Sequence, residues 1–154
     1  MLRNAMFRNA VIFSLLLCFG SASWADERSQ KTIEARQGLL KVVAQYFGPI
    51  VGMAKGQIPY DAALIEKNAG MIVQLAPMIP DMFAMDTSAS DITSQAKADI
   101  WGDYADFSAK AATTAERAEA LVAATAEGRS ATMKAFGALG ASCKSCHDSY
   151  RQKN

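Results

Sequence analysis

The sequence has very little histidine and cysteine, two residue types that enzymes often use for catalysis. Its 154 residues include a single histidine, His147, and only three cysteines. Acidic and basic residues nearly balance, at 15 and 16, so there is no electrostatic case for binding nucleic acid or an anionic membrane. There is no second histidine for acid–base work, and no Ser/His/Asp set leaves His147 available for another role. We therefore do not expect an enzyme.

The first 25 residues have the parts of a secretory signal peptide. Arg3 and Arg8 precede an apolar run over residues 10–20, and small residues follow at positions 23 and 25. The run is shorter than the ~20 residues that cross a bilayer, so we expect cleavage after Ala25 rather than a retained anchor. The mature chain, residues 26–154, then has a formal charge of −1, keeps two cysteines and lies in the periplasm.

Four segments of the mature chain carry apolar residues at three- and four-residue steps, which predicts helices with one buried face each. The segments are residues 26–55, 60–80, 100–125 and 131–151, with a polar loop over 86–98. We expect a kink at Pro49, which lacks an amide proton, and a disturbed end at Pro77 and Pro80. Short connections favour an all-α, antiparallel four-helix bundle in one domain. The buried face predicted for the fourth segment consists of Met133, Phe136, Gly140, Cys143, His147 and Tyr150.

The two remaining cysteines and the histidine lie together in Cys143-Lys144-Ser145-Cys146-His147, the C-x-x-C-H pattern of haem c attachment. Two thiols three residues apart on a helix can bond the same porphyrin, and the adjacent imidazole is then held beneath the iron. A disulfide, a thioredoxin-like redox pair and a zinc site are the alternatives. No βαβ pattern supports the second, and no usual fourth ligand supports the third. The sequence predicts one haem c, covalent through Cys143 and Cys146, with His147 as iron ligand.

A sixth iron ligand would have to come from an earlier helix, because the seven residues after His147 include no methionine or histidine. Met133 lies on the same helix as His147 and cannot reach the opposite face of the haem. The other methionines of the mature chain are more often core side chains than ligands. They are Met53, Met71, Met78, Met82 and Met85.

Several segments resemble the cytochromes c′, a family of four-helix haem proteins. They are residues 140–151 around the haem motif, residues 36–37, residues 55–63 and residues 100–101. The resemblance extends over essentially the whole mature chain. Such proteins commonly pair as homodimers through their first two helices, and the sequence leaves the oligomeric state open.

The resemblance implies roles for individual residues. Arg36 and Gln37 match a pair that approaches the haem edge, where an arginine suits a propionate. Arg151 matches the basic residue beside the ligand imidazole on the proximal side. Gln95 matches a weaker haem contact, at the end of a loop that differs from the usual pattern.

Leu40 matches the residue that faces the open side of the iron. A methionine there goes with the low-spin relatives called cytochromes c-556, whereas leucine has no lone pair to give. We therefore expect five-coordinate, high-spin iron in an apolar pocket that admits nitric oxide and carbon monoxide. A register error of one residue would exchange the roles of Leu39 and Leu40. The alternative is a low-spin, cytochrome c-556-like electron carrier with a methionine sixth ligand.

The sequence therefore leaves two functions open. The protein is either a one-electron carrier between unidentified redox partners, or a module that binds a small gas such as nitric oxide. The open coordination site favours the second function, because an electron carrier is better served by six-coordinate iron. A peroxidase would need a polar base where Leu40 is expected.

Overall fold

The computed structural model describes residues 19–153, and the four long helices of this region form an antiparallel bundle, as predicted. Residues 1–18 lie outside the described residues, so the signal peptide stays a prediction. No helix in the described region is long and apolar enough to cross a membrane. The helices are α1 (Phe19–Ala54), α2 (Ala62–Leu75), α3 (Met78–Met82), α4 (Asp99–Gly102), α5 (Tyr104–Ala124) and α6 (Arg129–Tyr150), with a 3-10 turn at Thr125–Glu127.

Two aspartates determine where α2 and α5 begin. The Asp61 side chain accepts a hydrogen bond from the amide of Leu64 at 3.0 Å, and the Asp103 side chain accepts one from Asp106 at 3.1 Å. Each satisfies an amide that has no partner inside its helix. Asp103 has non-helical dihedrals, φ −136° and ψ 66°, and it divides the third predicted segment into α4 and α5.

Gly56 follows the end of the first long helix and Pro77 follows the end of the second. Pro49 lies inside α1, and the helix continues past it to Ala54. Gly56 follows with φ of +71°, a conformation that side chains other than glycine rarely adopt. α2 ends at Leu75, two residues before Pro77, which confirms the predicted disturbance at the end of the second segment.

The core consists of two clusters of buried side chains. They contain apolar residues that recur at three- and four-residue steps in the second and third predicted segments: Ile65, Ala69 and Ile72, and Ile100, Phe107, Ala118 and Leu121. The central cluster contains Ile50, Met53, Ile65, Ala69, Ile72, Ala118, Leu121 and Leu139. The aromatic cluster contains Phe83, Ile100, Phe107 and Tyr150.

The buried face of α6 is rotated from the predicted one, which is a correction. Its fully buried residues are Thr132, Leu139 and Tyr150, whereas His147 is exposed. Most of the predicted face is half-buried instead, and Met133, Phe136 and Cys143 pack against the central cluster. The apolar pattern did not identify Thr132 as buried because threonine is polar. Its burial is possible because its hydroxyl donates to the carbonyls of Ala124 and Gly128.

Candidate functional site

The last turns of α6 bring the two cysteines and the histidine together. Cys143 packs against the central cluster and Cys146 against the aromatic cluster, so the thiols lie at the boundary between the two. Both are free and half-buried. Burial is the main reason that the pKa of each thiol lies above its ordinary value. Neither cysteine is therefore a reactive thiolate near neutral pH.

His147 lies at the protein surface, beside Cys146. Partial burial of the ring, and then the charge of Arg151, lower the pKa of His147, while Asp148 opposes this effect. The imidazole is therefore neutral at neutral pH, which is the form that binds a metal. Asp148 is itself held by an ion pair with Lys144 one turn earlier.

The opposite wall of the site is α1, which contacts α6 at Phe47. The ring of Phe47 stacks on that of Phe136 with centroids 5.6 Å apart, and a Cβ at Gly140 would lie 4.0 Å from it. Leu40 lies seven residues before Phe47, and His147 lies seven residues after Gly140. Because the two helices run antiparallel, both steps lead about 10 Å in the same direction. Leu40 and His147 therefore reach the same level of the bundle.

Leu40 is 38 % exposed, although it lies on the packed face of α1. One turn earlier Arg36 is buried, and two turns later Phe47 contacts the central cluster. The burial expected for Leu40 is therefore not provided by the protein alone. Leu39 is half-buried, and Gln37 is exposed beside Arg36. Leu40 is thus an uncovered apolar side chain between two packed residues. A flat apolar group could cover it.

Arg36 is 2 % exposed and fastens α1 to the loop that follows α3. Its Nε donates to the carbonyl of Met82 at 2.7 Å, and its two terminal nitrogens donate to the hydroxyl of Thr87 (2.6 Å) and the carbonyl of Met85. The guanidinium also lies over the ring of Phe83, 4.7 Å from its centroid. Three of its five N–H groups are thus engaged within the protein, and the predicted propionate contact would use the others.

Gln95 and Arg151 are brought together behind His147. The Nε of Arg151 donates to the side-chain oxygen of Gln95 at 2.9 Å. The backbone amide of Arg151 donates to the carbonyl of His147 at 3.1 Å. The structure therefore supports a place for Arg151 beside the imidazole, and it gives Gln95 a partner that the sequence did not suggest.

One network at the site was missed from the sequence. The hydroxyl of Tyr150 donates to the carboxylate of Asp106 at 2.6 Å, and Lys110 pairs with the same carboxylate at 3.4 Å. The tyrosine hydrogen bond is the main cause of the lowered pKa of Asp106. The periodicity identified Tyr150 as buried, but nothing in the pattern of α5 identified its partner.

These residues fit a covalently bound haem. Two free thiols and a neutral imidazole occupy the end of one helix, and an uncovered apolar side chain lies level with them on the facing helix. The fold and the site together define a c-type haem protein built on a four-helix bundle.

Comparison with known proteins identifies the family. The family model described as Cytochrome C′ matches residues 31–151. A cytochrome c′ from Cereibacter sphaeroides is 38 % identical over 148 residues, which cover 95 % of this chain and 99 % of the relative. The chain belongs to the cytochrome c′ family, and as in that family it carries one covalent haem c, through Cys143 and Cys146.

Solved structures agree with this assignment. Cytochrome c′ from Rhodobacter sphaeroides has a TM-score of 0.75 and 41 % identity, covering 82 % of this chain and 98 % of that one. An arginine-to-lysine variant of the protein from Alcaligenes xylosoxidans, solved with bound nitric oxide, has a TM-score of 0.70 and 34 % identity, covering 82 % and 97 %. Other relatives carry the name cytochrome c-556.

Proposed function

We propose that the protein is a periplasmic cytochrome with five-coordinate, high-spin iron that binds a small neutral gas such as nitric oxide and exchanges single electrons. The haem supplies an iron that changes between ferric and ferrous and has one coordination position open. His147 supplies the protein ligand. The position of Leu40, which has no donor atom, supports the proposal most. Counted along the antiparallel helices α1 and α6 from the contact between Phe47 and Gly140, Leu40 reaches the level of His147.

The properties of Leu40 support selection among ligands. An apolar side chain next to the open position disfavours water and anions, because they would lose hydrogen bonds on entry. A neutral diatomic molecule loses little on the same path. The nitric oxide complexes described for the Alcaligenes xylosoxidans relative support gas binding by this architecture.

The packing of two methionines argues against a sixth ligand from them. Met53 is 2 % exposed within the central cluster, and the sulfur of Met85 accepts a hydrogen bond from Thr32 at 3.5 Å. Moving either one to the iron would break established packing. The low-spin alternative, a cytochrome c-556-like electron carrier with one of the other methionines as sixth ligand, ranks second because Leu40 is the residue at the level of His147. An enzymatic role ranks below both, because Leu40 offers no polar base for peroxide chemistry.

The optical spectrum of the reduced holoprotein tests the spin state. We expect a high-spin spectrum that changes when carbon monoxide is added. Sharp, split low-spin bands that carbon monoxide leaves unchanged would contradict the proposal and favour the methionine-ligated alternative.

A pair of variants tests which leucine faces the iron. Leu40→Met provides a thioether at the open position and should convert the spectrum to low-spin with loss of carbon monoxide binding. Leu39→Met makes the same change at the neighbouring residue and should leave both properties as in the parent protein. Conversion by Leu39→Met alone would overturn the assignment of Leu40.

A further inference from the structure

The loop of residues 83–98 ends in a clamp on the C-terminus of α6. The amide of Lys97 donates to the carbonyl of Tyr150 at 3.0 Å, and the amide of Gln152 donates to the carbonyl of Gln95 at 2.8 Å. These bonds form an antiparallel bridge between Ala96 and Arg151. The bridge fixes the backbone of Arg151 immediately after the helix that holds His147.

Side chains reinforce the clamp. The ammonium group of Lys97 donates to the carbonyls of Asp148 (3.2 Å) and Ser149 (3.0 Å), which lie in the last turn of α6 and lack intrahelical partners. The carboxamide of Gln95 accepts from the Nε of Arg151 at 2.9 Å. The helix end and the arginine are thus held by two neighbouring residues of the same loop.

This arrangement decides where the charge of Arg151 lies. An exposed arginine that is free to rotate samples many rotamers, and a bond at Nε removes much of that freedom. Arg151 and His147 together line an open cavity of about 290 Å³. The guanidinium is therefore kept on the same side of the site as the imidazole.

We propose that Gln95 is a positioning residue for the proximal side: through its carboxamide it holds the Arg151 guanidinium beside His147, and so it sets the electrostatic field and the access at the ligand imidazole. The proposal rests on the proposed function in one respect, that His147 is the iron ligand. The loop then influences the haem through one hydrogen bond, between the side chains of Gln95 and Arg151.

A double-mutant cycle on the holoprotein tests the proposal. Gln95→Leu removes the acceptor, Arg151→Ala removes the guanidinium, and the third variant combines them. We measure the association rate of nitric oxide with the ferrous protein and the midpoint potential of the haem. Gln95→Leu should raise the rate by about three- to tenfold, because the guanidinium is no longer held beside His147 and restricts access there less. It should also lower the potential, because a mobile positive charge stabilises the ferrous state less.

The combined variant is decisive. In the Arg151→Ala background, Gln95→Leu should change neither quantity, because its effect passes through the arginine. An undiminished effect there would overturn the proposal. Gln95→Glu keeps an oxygen acceptor and should hold the association rate within about twofold of the parent. Gln74→Ala, at an exposed glutamine of α2, should have no effect.

The two readouts separate this proposal from the proposed function. If the iron were six-coordinate, nitric oxide association would be slow in every variant, and the proposed function would fail. The midpoint potential would still report coupling between Gln95 and Arg151. Thermal unfolding of each variant shows whether the fold is retained. An unchanged potential in a folded Gln95→Leu protein would contradict the positioning role.

Discussion

Removing the Arg36 side chain should destabilise the protein far more than removing any exposed arginine. Arg36 is 2 % exposed, donates three hydrogen bonds and lies over the ring of Phe83. In Arg36→Ala the carbonyls of Met82 and Met85 lose their charged donor. Arg117→Ala is the matched control, because Arg117 is exposed on α5.

The size of the effect follows from these contacts. A hydrogen bond from a charged donor contributes about 1.5–3 kcal/mol, and a cation–π contact contributes about 1 kcal/mol. Such contributions do not add in full, so we expect a loss of about 4 kcal/mol in the free energy of unfolding. With a urea dependence of about 2 kcal/mol per molar, the unfolding midpoint falls by about 2 M. Arg117→Ala should stay within about 0.5 kcal/mol of the parent protein.

The assay is urea unfolding of the holoprotein, followed by far-ultraviolet circular dichroism. Arg36→Lys keeps the charge but loses the planar fork, so it should recover only part of the stability. Haem content should be unchanged, because attachment depends on Cys143 and Cys146. If the midpoint of Arg36→Ala coincided with that of Arg117→Ala, the structural role assigned to the guanidinium would be refuted.

Two further predictions concern acid stability and export. The pKa of Asp106 is lowered in the folded protein, so its carboxylate stabilises the fold at pH values above the ordinary aspartate range. This contribution is lost as the pH falls through the lowered pKa. Asp106→Asn should therefore have a lower urea midpoint than the parent protein near pH 7, and the difference between the two midpoints should shrink at ~pH 3. A difference that does not depend on pH would argue against the Tyr150–Asp106 interaction. The exported protein should begin at Asp26, as measured by its intact mass and its N-terminal sequence. A mature chain that retains Trp24 would contradict the predicted cleavage site.

The sequence predicted the bundle well because its helical faces carry regularly spaced apolar residues. It was less successful where burial is achieved by small or polar side chains. Thr132 is fully buried with its hydroxyl satisfied, so the apolar pattern misplaced the buried face of α6. The sequence did not predict the break between α4 and α5 at Asp103. An aspartate inside a periodic segment is also typical of an exposed helical position, and only the structure shows that its side chain caps α5.

The haem motif was predictable because its three groups are adjacent in sequence. Contacts between distant segments were not. The resemblance associated Arg36 with a haem propionate, yet its partners at Met82, Met85 and Thr87 come from a loop with no periodicity. The bond between Gln95 and Arg151 spans 56 positions and depends on how that loop returns to α6. Pairings of this kind depend on loop conformation, which periodicity does not encode.

The loop of residues 83–98 is fastened near both ends and little in between. Arg36 holds its beginning at Met85 and Thr87, and the bridge to Arg151 holds its end. Residues 88–93 make short-range turn bonds, such as the one from the amide of Ile92 to the hydroxyl of Ser90 at 3.3 Å. Lengthening a loop costs only about 0.6 kcal/mol per doubling, so insertions here should be tolerated. The length of this stretch is therefore free to drift during evolution, while Arg36 and Arg151 keep the two ends of the loop attached to α1 and to the end of α6.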